Sequence, residues 1–202
     1  MASIAVPGRE VRGVIGAVAE FRAVKDGNKT TLVGYAAKYD VRSEPIYGQF
    51  FEVIKRGAFA SALEGKDDVR ALLDHDASMV LGRTRSKTLR LSDDSVGLKF
   101  ELDLPDTTVA RDLAVSVERG DISQMSFGFR KIRDRWTENV DPTTKLTVTT
   151  RELLEVELMD VSPVAFPAYL DTEVSVRSLN AFREERDAGL RNARARLRLA
   201  SV

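Results

Sequence analysis

Short runs of strand-forming residues constrain the fold of this chain more than any other feature of its sequence. Each run is bounded by Gly, Pro, Asp or Ser, a pattern that is typical of strands joined by turns. The runs are TLVGYAAKY, VRALLDH, KTLRLS, GLKFELDL, QMSFGFRKI, KLTVTT and RELLEVELMDV. About seven strands are enough for a barrel or a sandwich. The segment SDDSVG predicts a hairpin turn, and DRWTENVDPTTK predicts a longer polar connection of the same kind.

Two helices interrupt the strands. In DTTVARDLAVSVERG, Asp106 or Thr107 is suited to cap the first turn, apolar residues recur at four-residue spacing, and Gly120 is suited to end the helix. A shorter helix around RGAFASALEGK ends at Gly65. The sequence therefore predicts a mainly β fold with flanking helices, of the α+β class.

Charge divides the chain into a body and a tail. The whole sequence carries 31 basic and 31 acidic residues, which excludes a global attraction to nucleic acid or an anionic membrane. Residues 177–202 hold seven Arg against three acids, a net charge of +4. We expect an N-terminal segment with a first strand at 1–30, a barrel domain at 31–176 and a basic helical tail at 177–202. A solvated tail helix is favoured over one that binds a partner.

Composition excludes several kinds of site. The chain has no Cys and one His, so disulfides, thiolate metal sites and Cys nucleophiles are ruled out. A metal ion held by Asp74, His75 and Asp76 is disfavoured because consecutive residues rarely converge on one ion. We therefore expect no metal and no cofactor. The longest apolar run, VIGAVAEF, is too short to span a membrane, and the N-terminus does not resemble a secretory signal.

The only histidine, His75 in ALLDHDAS, lies between two aspartates at the end of an apolar run. Nearby negative charge favours the imidazolium form, and a hydroxyl within reach would make His75 a general base. A surface loop residue is the alternative interpretation.

The segment QMSFGF supplies a hydroxyl. Alternation along a strand points Met125, Phe127 and Phe129 into the core and predicts an exposed Ser126 on the other face. Gly128, on that same face, would leave space for a polypeptide to approach a nucleophile. The alternative is a bulge at Gly128 and a Ser126 that merely lies on the surface.

The segment RELLEVELMDV supplies carboxylates. Glu155 and Glu157 share the face opposite the apolar residues, where a carboxylate could orient the imidazole as in a hydrolase triad. Strict alternation places Glu152 and Asp160 on the other face, and a bulge would reverse that order. Alternating acids on an exposed face are otherwise simply solubilising.

Six motifs in order, between Gly34 and Tyr169, resemble the HK97-type prohead maturation proteases of tailed bacteriophages. They are GYAAKYD, FFEVIKRGAF, LLDHD followed by VLGRT, LPDTTVARDL, RGDISQMSFGF and ELMDVSPVAFPAY.

The resemblance implies a serine endopeptidase with a β-barrel of about seven strands, similar to the herpesvirus assembly proteases. It implies a nucleophile at Ser126, which forms an acyl-enzyme, and a base at His75. The herpesvirus enzymes use a second His as the third member of the triad, and this chain has none. A carboxylate must replace it, and we expect Glu155, with Glu157 as the alternative.

The same resemblance implies where the enzyme acts and on what. The expected substrates are the scaffold protein and the scaffold-like arm of the major capsid protein, inside the prohead in the host cytoplasm. A homodimer is expected by analogy with the herpesvirus enzymes, and the tail would tether the enzyme to scaffold or be cleaved off. The main alternative is a non-catalytic capsid-assembly or scaffold-binding module with the same fold. A nucleic-acid binder that uses the tail and Trp136 is disfavoured by the neutral charge.

Overall fold

Paired strands make up most of the structure, a computed structural model that describes residues 8–13, 21–27, 29–166 and 172–200. In chain order the elements are β1 (Arg9–Gly13), β2 (Arg22–Asp26), β3 (Lys29–Lys38), β4 (Phe51–Ile54), α1 (Ala60–Leu63), β5 (Arg70–Leu73), β6 (Asp76–Arg83), β7 (Leu89–Asp93), β8 (Gly97–Asp103), α2 (Thr108–Arg119), β9 (Gln124–Val140), β10 (Thr147–Val164) and α3 (Thr172–Ala200). The predicted mainly β fold with helices is confirmed.

The strands form two sheets. The larger, curled sheet has the order β1-β9-β10-β5-β6, with β4 also paired to β10, and the smaller sheet has the order β2-β3-β8-β7. This topology does not confirm a barrel of about seven strands. The predicted hairpin turn at SDDSVG joins β7 to β8, and Oδ1 of Asp94 accepts hydrogen bonds from the backbone N–H groups of Val96 and Gly97.

The longest hairpin of the described residues, β9–β10, carries the larger sheet. Its strands are longer than predicted: β9 continues through the polar segment that was expected to be a connection, and the turn is confined to residues 141–146. Asp141 stabilises this turn because its Oδ1 accepts from the N–H groups of Thr143 and Thr144. Alternating charges on β9 and β10 pair across the strands, which explains why a polar segment forms a strand here.

The core lies between the two sheets and is closed by α1 and α2. Its largest fully buried side chains include Leu32, Phe59, Phe100, Leu102, Met125, Phe127, Phe129 and Leu153. Of the two predicted caps of α2, Thr107 is the one observed, since its side chain accepts a hydrogen bond from the N–H of Ala110. Gly120 follows the helix with a φ of 81°, the left-handed conformation typical of a helix end.

The first half of α3 packs on the far end of the β9–β10 hairpin. Leu179 is fully buried, and Phe182 stacks on Trp136 with ring centroids 5.9 Å apart. Arg186 forms an ion pair with Glu138. In this half, α3 is therefore packed on the hairpin and is not a solvated helix. No described helix is long and apolar enough to cross a membrane.

A buried ionic cluster joins β1, β4 and β10 on the core side of the larger sheet. The guanidinium of Arg151, which is fully buried, donates to Glu10 at 2.6 and 3.0 Å and to Glu52 at 3.1 Å. Arg12 donates to the same two carboxylates at 2.7 and 2.8 Å. Arg151 also donates to Asp134 on β9 at 2.8 Å. The cluster fixes β1 at the edge of the sheet.

We expect Arg151→Met to lower the free energy of unfolding by about 3–5 kcal/mol, because Glu10 and Glu52 would lose a cation that both contact inside the protein. Urea-induced unfolding measures the change. Arg133→Met is the matched control, since Arg133 pairs with Glu155 at 3.5 Å and its side chain is 65% exposed, and such pairs contribute at most about 1 kcal/mol. Equal losses in the two variants would contradict the importance of the cluster.

Candidate active site

His75 lies in the two-residue turn between β5 and β6. Asp74 and His75 both have positive φ, 48° and 59°. Residues other than Gly adopt this backbone conformation at a cost in free energy. Asp74 anchors the turn to the end of β10: its N–H donates to the carbonyl of Pro163, and its Oδ1 accepts from the N–H of Ala165, both at 3.0 Å. The structure therefore fixes the position of the only imidazole of the chain.

The carboxylate that contacts the imidazole is Asp160. Nδ1 of His75 lies 2.5 Å from Oδ2 of Asp160, and the other oxygen, Oδ1, accepts from Nη2 of Arg9 at 2.6 Å. Burial by itself raises the pKa of the Asp160 carboxyl. The hydrogen bonds and positive charges of His75 and Arg9 outweigh it, so this pKa lies below its ordinary value. The carboxylate is therefore ionised and oriented toward Nδ1.

An irregularity in β10 explains why Asp160 takes this place. The register of β10 against β9 shifts between Leu158, opposite Phe129, and Asp160, opposite Gly128, which leaves Met159 as an extra residue. Leu158 and Val161 both face the core, so Asp160 faces the other side. The prediction that Asp160 lies away from the site followed from strict alternation and is wrong, because the bulge reverses the order.

The two predicted carboxylates lie elsewhere. Glu155 forms an ion pair with Arg133 at 3.5 Å, and Glu157 forms one with Arg130. Both pairs join β9 to β10 on the exposed surface of the hairpin. The carboxylate that contacts His75 is therefore Asp160, and not Glu155 or Glu157 as expected.

Ser126 lies on the predicted face of β9 but is not exposed. Met125, Phe127 and Phe129 belong to the core, and Ser126 is on the opposite face, yet the residue is fully buried. Its Oγ donates to the backbone carbonyl of Arg12 on β1 at 2.9 Å. The expectation of an exposed hydroxyl is therefore wrong: the side chain is buried and bonded to the neighbouring strand β1.

Ser162, which no sequence pattern indicated, pairs with Ser126 across the strands and contacts Asp160. Ser162 lies directly opposite Ser126 in the β9–β10 ladder, and its Oγ donates to Oδ2 of Asp160 at 3.1 Å. Side chains directly opposite in an antiparallel pair have Cβ atoms about 4.5–5.5 Å apart. Ser126 is therefore paired across the strands with a residue that contacts the Asp160 carboxylate. Had the bulge before Asp160 been recognised in the sequence, it would have placed Ser162 on the same face as Ser126.

Gly128 has a different role from the predicted one. A Cβ atom at this position would lie 2.3 Å from Oδ1 of Asp160 and 2.9 Å from Nε of Arg9. The absent side chain thus leaves room for the contact between Asp160 and Arg9, and not for an approaching polypeptide.

The second nitrogen of the imidazole points away from Asp160. Within the described part of the chain, Nε2 of His75 is buried and has no hydrogen-bond partner. An imidazole with Nδ1 on a carboxylate and a free Nε2 is arranged to take a proton from a hydroxyl. Among the same residues no group of three or more His, Asp or Glu side chains is placed to hold a metal ion.

Comparison with known protein families gives one match. The model of a family described as caudovirus prohead serine protease matches residues 18–185. This range includes His75, Ser126, Asp160 and Ser162, and it excludes β1. The comparisons with curated proteins and with solved structures gave no match.

We expect Asp74→Ala to lower the free energy of unfolding by about 1–2 kcal/mol, because the turn would lose its anchor on β10 and Ala tolerates positive φ poorly. Asp74→Asn is the matched control, since its amide oxygen still accepts from Ala165 and Asn adopts this conformation readily. Urea-induced unfolding of both variants measures the difference. An equal loss of unfolding free energy in Asp74→Asn would show that the hydrogen bond from Ala165 does not anchor the turn.

Proposed function

Because the chain belongs to the caudovirus prohead serine protease family, we propose that it is a serine endopeptidase of capsid maturation that forms an acyl-enzyme on Ser126. The observation that carries the proposal is the dyad of His75 and Asp160 on the face of the sheet that bears Ser126. Asp160 takes the role of third member of the triad, which was predicted for Glu155. It holds the imidazole with Nδ1 protonated and favours the imidazolium that forms in the transition state.

The reaction follows from this arrangement. The Ser126 side chain rotates away from the carbonyl of Arg12, and its Oγ attacks the carbonyl carbon of the scissile peptide while Nε2 of His75 takes the hydroxyl proton. The imidazolium then gives that proton to the amide nitrogen as the C–N bond breaks, which leaves the acyl group on Oγ. A water molecule attacks the ester, gives one proton to Nε2, and releases the carboxylic acid product as Oγ recovers the proton.

The buried Ser126 hydroxyl is consistent with an enzyme in a resting state. Ser126 is fully buried and bonded to a backbone carbonyl, so a substrate reaches it only after the residues that cover it move. The same observation favours the second candidate, a non-catalytic assembly or scaffold-binding module in which Ser126 serves only to bond β1. The two candidates differ in whether the chain cleaves capsid-associated proteins.

The finer features of the function follow from the family. We propose that the two sheets correspond to the barrel of the herpesvirus assembly proteases and that the chain works as a homodimer. The substrates are the scaffold protein and the scaffold-like arm of the major capsid protein, inside the prohead in the host cytoplasm. We propose that the second half of α3 binds acidic scaffold, since the packed residues Leu179 and Phe182 lie in the first half.

We expect Ser126→Ala and His75→Ala to abolish cleavage of the scaffold and capsid proteins when these are expressed together with the protease. The first removes the attacking oxygen, and the second removes the base. New fragments on a gel report the cleavage. Identical patterns for the unaltered chain and for Ser126→Ala would favour the non-catalytic module.

Asp160→Asn tests whether Asp160 or Glu155 is the third member of the triad. It keeps the shape but not the charge, and we expect kcat/KM to fall about 1000-fold or more. Glu155→Gln is the control and is expected to change kcat/KM by less than about threefold, since Glu155 pairs with Arg133 on the surface. The reverse result would restore Glu155 as the third member. Loss of activity in Ser162→Ala with retention in Ser126→Ala would reassign the nucleophile.

A further inference from the structure

Arg9 is the one charged side chain among the described residues that contacts both members of the dyad. Its Nη2 lies 2.6 Å from Oδ1 of Asp160 and 3.4 Å from Nδ1 of His75. The side chain is only 15% exposed, so the guanidinium acts at short range with little screening by water. Arg9 comes from β1, which lies outside the residues that the family match covers.

We propose that Arg9 is a positioning residue for the reaction: it holds Asp160 ionised, with Oδ1 occupied, so that Oδ2 is directed at Nδ1 of His75. The proposal rests on the proposed function. A carboxylate has two equivalent acceptor oxygens, and contacts on both restrict its rotation more than contacts on one. Here His75 and Ser162 take one oxygen and Arg9 takes the other.

The glycine opposite Asp160 supports this assignment. Position 128 faces the carboxylate across the strands, and a Cβ there would overlap both Oδ1 of Asp160 and Nε of Arg9. The contact between Arg9 and Asp160 therefore exists because residue 128 has no side chain. An ion pair that merely stabilised the surface would not require an empty position inside the sheet.

The other charged groups near the dyad have partners of their own. Asp74 and Asp76, which flank His75, are bonded to Ala165 and Ser78, and Arg130 of β9 is paired with Glu157. Among these groups, Arg9 is therefore the one that holds the Asp160 carboxylate.

The single histidine makes the contact of Arg9 with the dyad directly observable. Since the chain has one His, the two carbon-bound ring protons of its imidazole are readily identified in NMR spectra of the full chain. We expect Arg9→Gln to shift these resonances, because the guanidinium 3.4 Å from Nδ1 is lost. Arg9→Lys keeps a cation and should shift them less. Arg133→Gln, a surface arginine distant from the dyad in the ladder, should leave them unchanged.

Cleavage assays complete the test. We expect Arg9→Gln to lower kcat/KM at neutral pH about 10- to 100-fold, through a less well oriented Asp160, with partial recovery in Arg9→Lys. Imidazole resonances that do not shift in Arg9→Gln, or a kcat/KM equal to that of the unaltered chain, would overturn the proposal. If the unaltered chain cleaves nothing, the proposed function fails instead, and the NMR spectra still decide whether Arg9 acts on the dyad.

Discussion

The extra residue in β10 before Asp160 is the constraint on which the candidate site depends. Without the register shift at Met159, alternation would point Asp160 into the core and leave His75 opposite an apolar side chain. The bulge places Asp160 and Ser162 on the face that carries Ser126. An ionised carboxylate is costly to bury alone, and the Arg9 guanidinium, together with the hydrogen bond to the imidazole, offsets that cost.

The site is assembled from segments that are distant in the sequence. The turn between β5 and β6 brings the imidazole, β10 brings the carboxylate, and β9 brings the hydroxyl. Each is fixed by backbone pairing with β10 or by the Asp74 anchor at its end. A catalytic arrangement needs this kind of support because small displacements of the reacting groups reduce the rate strongly. Here the ladder and the anchored turn at His75 together set the relative positions.

Much of this architecture could be predicted from the sequence, and the failures have physical causes. Alternation in QMSFGF identified Ser126 on the non-core face, and the lone His75 followed from elimination. The carboxylate was misassigned because a bulge is invisible to a period-two pattern: nothing in ELMDVS distinguishes Met159 as extra. The burial of Ser126 and the contact of Arg9 depend on β1, a short strand whose pairing to β9 is non-local and leaves no periodic signal.

The two faces of β1 explain why a charged strand is buried at the edge of this sheet. On the core side, Glu10 and Arg12 enter the ionic cluster around Arg151, which holds the strand in one register. On the other side, Arg9 reaches Asp160, and the carbonyl of Arg12 accepts the Ser126 hydroxyl. Because a one-residue slip would exchange the two faces, the cluster that stabilises the strand also fixes which of its residues reach the site.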